Sequence, residues 1–230
     1  MKLLQLVPDF KPRRLKEYKD TTKLIFFTLD LTAQNYPIIT SVEGLPYDCI
    51  SLLPCSTSLG GVVIIAGNCL IYVDQSSRRV VLPVNGWMAR VSDMPLPQHQ
   101  GEDLARNLAL EGCRSAFVDD KTLFVILKDG TIYPVEIVAD GKLVSKLTMA
   151  PALAHTTIPS VILKMEQDYL FVGSSVGPSV LLKAAHIQED IEADVDMHPA
   201  LASVVPATSM EIDDDEGNPF HLILPFWACG

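Results

Sequence analysis

The stretch Leu59-Gly60-Gly61-Val62-Val63-Ile64-Ile65-Ala66-Gly67-Asn68-Cys69-Leu70-Ile71-Tyr72-Val73 decides the fold. Val62–Ala66 holds no polar side chain, Gly67-Asn68 is a tight-turn pair, and Cys69–Val73 returns as a second apolar run. By composition and spacing this is a β-hairpin. A strand that faces water on one side alternates apolar and polar residues, whereas one covered on both sides reads as a continuous apolar run. The hairpin therefore belongs to a sheet buried between two neighbours.

Working outward, the same unit recurs. Upstream, Lys23–Leu31 and Pro37–Val42 read as strands on either side of Gln34-Asn35, and downstream Arg79–Val84 reads as another. A second copy comprises strands at Ser115–Val118, Leu123–Leu127, Ile132–Val138 and Lys142–Leu147. Its turns lie at Asp119-Asp120, Lys128-Asp129-Gly130 and Ala139-Asp140-Gly141, and Asp-Gly between apolar runs is a strong hairpin signal. A third copy comprises Ser160–Met165, Tyr169–Gly173 and Ser179–Lys183, turning at Gly177. The central glycines Gly67, Gly130 and Gly177 are 63 and then 47 residues apart. The polar stretch Ser92–Glu102, with Pro95, Pro97 and Gly101, accounts for the longer gap as an inserted loop. Glu102–Glu111 has some helical character and fits equally a loop that leads into a strand.

Four short antiparallel strands per ~40–50 residues are the mark of a propeller blade. The expected fold class is all-β: a partial β-propeller, an arc of about three to four four-stranded antiparallel blades whose ring is not closed. The inner runs Val62–Ala66, Leu123–Leu127 and Tyr169–Val172 lack the alternation of a β-sandwich, the competing architecture. The expected organisation is residues 1–185 as blades, 186–218 as an acidic low-order insertion, and 219–230 as an apolar tail containing at most an incomplete strand. The remainder of the ring is expected in a longer parent protein, or the chain is a truncated product. The apolar end Leu224–Gly230 favours truncation.

Composition narrows the function. Apolar residues make up 48% of the 230, enough for a packed core. The net charge of −10 disfavours direct binding to a phosphate backbone. No apolar run reaches the ~18 residues that span a bilayer, so no membrane role is expected. The N-terminus lacks a leader pattern, and the five scattered cysteines (Cys49, Cys55, Cys69, Cys113, Cys229) read as reduced core thiols of an intracellular protein.

No catalytic, cofactor-binding or metal-ligating residue is expected, and no cofactor or small-molecule substrate. Gly60-Gly61 lacks the Lys-Ser/Thr of a phosphate loop. Asp119, Asp120 and Asp129 are turn residues. His99, His155, His186, His198 and His221 are scattered through loops without metal-ligand spacing. Lys11, Arg13, Arg14, Lys16 and Lys19, near Phe10 and Tyr18, form the one basic cluster, read as a solvated loop in preference to an RNA contact. Glu189–Asp196 and Glu211–Glu216 are acidic runs, read as self-repelling and poorly ordered.

The segments Leu45–Cys49, Leu59–Asn68 with Leu70–Ser76, Leu127–Tyr133, Met165–Ser174 and Val180–Lys183 resemble the largest subunit of the cleavage and polyadenylation specificity factor. The same propeller family includes the large subunit of the damaged-DNA-binding complex and a subunit of splicing factor 3b. The Asp74-Gln75-Ser76 and Met165-Glu166…Tyr169-Leu170-Phe171…Gly173-Ser174 blocks are closer to the polyadenylation factor, and the resemblance fades after Lys183. It implies a nuclear, non-catalytic scaffold for pre-mRNA 3′-end processing. Its partners would be the other subunits of that factor, with pre-mRNA reached mainly through them. The alternative is an adaptor of a DNA-repair, ubiquitin-ligase or splicing assembly.

Overall fold

The computed structural model describes residues 2–8, 19–28, 32, 34–97, 107–165, 169–186 and 220–223. These form four antiparallel sheets in chain order. The first contains β1 (Lys2–Pro8), β2 (Thr22–Thr28) and β3 (Ile38–Leu45). The second contains β4 (Cys49–Pro54), β5 (Val62–Ala66), β6 (Cys69–Val73) and β7 (Arg79–Pro83), followed by the one-turn helix α1 (Met88–Val91). The third contains β8 (Arg114–Phe117), β9 (Thr122–Ile126), β10 (Thr131–Asp140) and β11 (Leu143–Met149), with the short β12 (Ala154–His155) beside β10. The fourth contains β13 (Val161–Lys164), β14 (Tyr169–Gly173), β15 (Val180–His186) and β16 (Phe220–Ile223).

Each sheet is a meander, and its last strand leads to the first strand of the next sheet. Strand alternation divides the side chains between two faces, and consecutive sheets share the cores between them. In β5 and β6, Val62, Ile64, Cys69, Ile71 and Val73 enter the core against the first sheet, with Leu24 and Val42. Val63, Ile65, Leu70 and Tyr72 enter the core against the third sheet, with Leu123, Val125 and Val135. In β9 the intervening residues Phe124 and Ile126 point the other way and pack with Leu170, Val172 and Leu182 of the fourth sheet. Three successive cores between four stacked sheets are the arrangement of propeller blades; a two-layer sandwich has only one. The first and fourth sheets share no core among the described residues, so the arc is not closed.

Several sequence expectations need correction. The buried runs Val62–Ala66 and Leu123–Ile126 are each the second strand of a sheet, and the half-exposed strands β4, β8 and β13 form the sheet edges. β14 is not covered on both faces: Leu170 and Val172 are buried while Tyr169 and Phe171 are half-buried, because among the described residues no further sheet stacks on that side. β10 runs on through Asp140, so its turn falls at Gly141-Lys142. Lys2–Pro8 and Cys49–Pro54, not read as strands from sequence, are β1 and β4. The inserted loop is anchored where it is described: Met94 is buried in the core between the first two sheets, and the Ser92 hydroxyl donates to Asp20 at 2.6 Å. Phe220–Ile223 pairs residue by residue with Lys183–His186 as a fourth strand. The acidic runs and residues 10–18 lie outside the described residues.

Candidate interaction surfaces

The residues weighed from sequence for chemistry are placed singly. Among the described residues, no group of three or more His, Cys, Asp or Glu side chains converges to hold a metal ion. Gly60-Gly61 is the turn into β5, and the Tyr72 hydroxyl donates to the Gly60 carbonyl at 3.1 Å. Asp119 accepts the backbone N–H groups of Lys121 and Thr122 at 2.7 and 2.6 Å, and Asp129 accepts that of Thr131 at 2.9 Å. These bonds fix hairpin turns. The Thr131 amide also holds the Asp129 carboxyl below its ordinary range. Not all the histidines sit in loops: His155 pairs with Thr131 in β12, His186 ends β15 and His221 lies in β16. His99 and His198 are outside the described residues.

The four described cysteine thiols are unsuited to nucleophilic work, and Cys229 lies outside the described residues. Cys49, Cys55, Cys69 and Cys113 are free. Burial pushes Cys49 and Cys55 up to about 12 and Cys113 up to about 11, and raises Cys69 well above the ordinary thiol range. A thiol so shifted carries almost no thiolate at neutral pH.

Polar side chains tie the sheets together at the Gly67-Asn68 hairpin. Asp48 precedes β4, and one of its carboxylate oxygens accepts the Asn68 amide at 2.7 Å. Its other oxygen is buried without a hydrogen-bond partner among the described residues. Burial raises the Asp48 carboxyl, and hydrogen bonds from Asn68 and from the Asp48 and Gly67 amides pull it the other way. Nearby, Asp20 accepts from the Ser92 hydroxyl and from the Asp93 amide at 2.9 Å, while Lys19 pairs with Asp93 at 2.9 Å. Lys19, part of the basic cluster in sequence, is thereby neutralised. This pair is exposed enough to contribute at most about 1 kcal/mol.

The exposed features suit protein contact. Trp87 is 56% exposed at the start of α1, with the Arg90 guanidinium 4.7 Å from its ring centroid. Its backbone is held from below: Asn85, 3% exposed, accepts the Trp87 amide at 3.0 Å and donates to the Leu108 carbonyl. An exposed Trp beside Arg on a fixed backbone is the composition of a contact hot spot. Sequence reading passed over it; the available signal was a large aromatic after Gly86 in a turn. The two outer faces of the arc each carry apolar side chains. Ile25, Phe27 and Ile38 lie on the first sheet's outer face, and Leu163, Phe171 and Leu181 on the fourth sheet's. Ile38 is 63% exposed and Leu163 59%.

Comparison with known proteins matches this architecture. The family model described as the RSE1/DDB1/CPSF1 first beta-propeller matches residues 15–211. The Drosophila melanogaster "Cleavage and polyadenylation specificity factor subunit 1" is 27% identical over 184 residues, 80% of this chain and 12% of that protein. "Protein CFT1" of Yarrowia lipolytica is 28% identical over 173 residues, covering 73% of this chain and 13% of its own length. "Protein cft1" of Schizosaccharomyces pombe is 35% identical over 136 residues, covering 57% and 9%. The chain thus spans about a tenth of the length of these relatives.

Proposed function

The chain belongs to the RSE1/DDB1/CPSF1 first-beta-propeller family, and from that premise we propose that it is a non-catalytic scaffold segment of a nuclear cleavage and polyadenylation factor. The observation that carries this reading is the agreement of relatives from fly and fungi, all named as subunit 1 of that factor or as Cft1, over most of the chain. The surface chemistry supports it: turn carboxylates held by backbone amides, protonated thiols, and exposed apolar and aromatic side chains are equipment for holding proteins.

In this reading residues 1–185 supply blades. Residues 186–218 are an acidic insertion in the sequence between the last two strands of the fourth sheet, and 219–230 carry the final strand and an apolar tail. No residue serves as catalyst, cofactor ligand or metal ligand. The partners are the other subunits of the factor, and pre-mRNA is reached mainly through them. A net charge of −10 gives the chain little purchase on a phosphate backbone.

Affinity purification of the tagged chain from nuclear extract tests the reading. Recovery of polyadenylation-factor subunits is expected; recovery of cullin-type ligase or splicing subunits in their place refutes it. Fluorescence anisotropy with an adenine/uracil-rich RNA is expected to show no sub-micromolar binding, and tight binding with a steep salt dependence would refute the indirect route to RNA.

A further inference from the structure

The end of the second sheet that carries the Gly67-Asn68 turn sets two exposed aromatic side chains on one fixed frame. Tyr47, just before β4, is 53% exposed, and Trp87, at the start of α1, is 56% exposed. Two hydrogen-bonded routes join them. In one, the Tyr47 amide donates to the Lys19 carbonyl at 3.2 Å, and Lys19 pairs with Asp93 just past α1. In the other, the Gly67 amide donates to the Asp48 carbonyl at 3.1 Å, the Val84 amide to the Asn68 carbonyl at 3.1 Å, and the Trp87 amide to the Asn85 side chain. Met88 and Met94 anchor α1 and the loop after it in the core between the first two sheets. The frame runs across strand ends and turns and uses neither outer face of the arc. Most charges on it are already engaged: Asp20 accepts from Ser92 and Asp93, Asp48 from Asn68, and Lys19 pairs with Asp93. Arg90 forms no ion pair among the described residues, and its guanidinium lies 4.7 Å from the Trp87 ring centroid.

We propose that this end of the second sheet docks a short acidic segment of a partner protein, which lays an aromatic side chain on Trp87 and Tyr47 and a carboxylate on Arg90. Charge selects the occupant. Arg90 is the one unpaired charge on the described frame, and a guanidinium offers a planar fork of donors that matches a carboxylate bidentately. Stacking on the indole holds that fork in place before the partner arrives, so less side-chain freedom is lost on binding. A basic segment would meet like charge at Arg90, and a phosphate backbone would meet the field of a chain with net charge −10. Composition points the same way: Trp, Tyr and Arg are the residues that most often carry the affinity of a protein contact. Their backbones are fixed by Asn85, Lys19 and the buried methionines, so the surface is formed in advance. This docking surface does not depend on which assembly the chain joins, and it stands apart from the reading as part of a polyadenylation factor.

Fluorescence anisotropy on the full 230-residue chain tests the inference. The probe is a fluorescein-labelled synthetic peptide with two central phenylalanines flanked by glutamates, beside a control with lysines in place of the glutamates. The acidic peptide is expected to bind saturably, less tightly as salt is raised, and the lysine peptide is not. Trp87→Ala is expected to weaken binding by about thirtyfold or more, and Arg90→Gln by about tenfold. Arg90→Glu is expected to exchange the preference, losing the acidic peptide and gaining the lysine one, a result that damage to the fold would not produce. Far-ultraviolet circular dichroism of all three variants is expected to match the native chain, because both side chains are exposed. No saturable binding of the acidic peptide by about 1 mM overturns the proposal. Equal binding of the two peptides overturns it, as does acidic-peptide binding that survives both Trp87→Ala and Arg90→Gln. An adenine/uracil-rich RNA that binds through Trp87 more tightly than the acidic peptide also overturns it, since the surface would then be a nucleic-acid site.

Discussion

Gly130→Ala is expected to be among the most damaging single-methyl additions in this chain. Gly130 closes the β9–β10 hairpin with φ of 96°. A Cβ there would lie 1.9 Å from the Thr156 carbonyl oxygen and 2.8 Å from its carbon. The left-handed backbone alone costs an L side chain about 1–2 kcal/mol. The collision adds more, because the obstacle is backbone. The segment carrying Thr156 must withdraw, and it is held by the Thr156 amide donating to the Gly130 carbonyl at 2.8 Å and the Leu153 amide donating to Ile132 at 2.9 Å. Each such bond is worth about 0.5–1.5 kcal/mol net. Withdrawal also uncovers part of Leu153, which is 9% exposed in the core against the fourth sheet, at a cost of order 1 kcal/mol. Together these give about 3–6 kcal/mol, a large part of the 5–15 kcal/mol of a typical domain. Gly141→Ala is the control: its φ is 57°, but an added Cβ meets nothing within 4 Å, so only the backbone cost of about 1–2 kcal/mol applies. With a urea m-value near 3 kcal/mol/M, Gly130→Ala should lower the midpoint by roughly 1–2 M and Gly141→Ala by about 0.5 M. Equal midpoints for the two variants would refute the claim that the β12 segment clamps this turn.

Phe124→Ala should cost about 3–5 kcal/mol in urea unfolding, because Phe124 is 1% exposed between the third and fourth sheets; a loss under 1 kcal/mol would mean those sheets do not share a core. Cys69, fully buried with its thiol pushed up, should escape iodoacetamide at pH 8 in the native chain and react after denaturation, as read by peptide mass spectrometry. For Asp48 burial lifts the folded carboxyl above its ordinary value of 3.8, so above that pH the folded state binds more protons than the unfolded one, and this group's contribution to stability falls as pH rises through the window. Asp48→Asn should therefore flatten that fall in unfolding free energy between pH 4 and neutrality; an unchanged slope would show that burial does not govern this carboxyl.

Much of the fold was legible because it is written in runs of four or five residues. Val62–Ala66 and Cys69–Val73 form the hairpin their composition demands, and Asp129-Gly130 turns where it should. The edges were less legible. β4, Cys-Ile-Ser-Leu-Leu-Pro, and β1 mix residue types because an edge strand is only partly covered, so neither shows a clean period. The Trp87–Arg90 shelf was passed over too, since an aromatic after Gly86 in a turn is too weak a signal to separate an exposed Trp from a buried one.

The sequence by itself determined the central strands, the Gly67-Asn68 and Asp129-Gly130 turns, an open arc of about three to four blades and, through the quoted blocks, the family. Only the tertiary structure decided which faces are covered. Tyr169–Val172 reads as apolar as Leu123–Ile126, yet β9 is buried on both faces and β14 on one. Alternation along a strand sends side chains to two faces. Whether water reaches a face depends on the neighbouring sheet, and that sheet comes from residues far away in the chain. The same holds for Asp20 and Ser92, which are 72 residues apart and joined by a hydrogen bond: local spacing carries no record of a contact made only when two sheets stack.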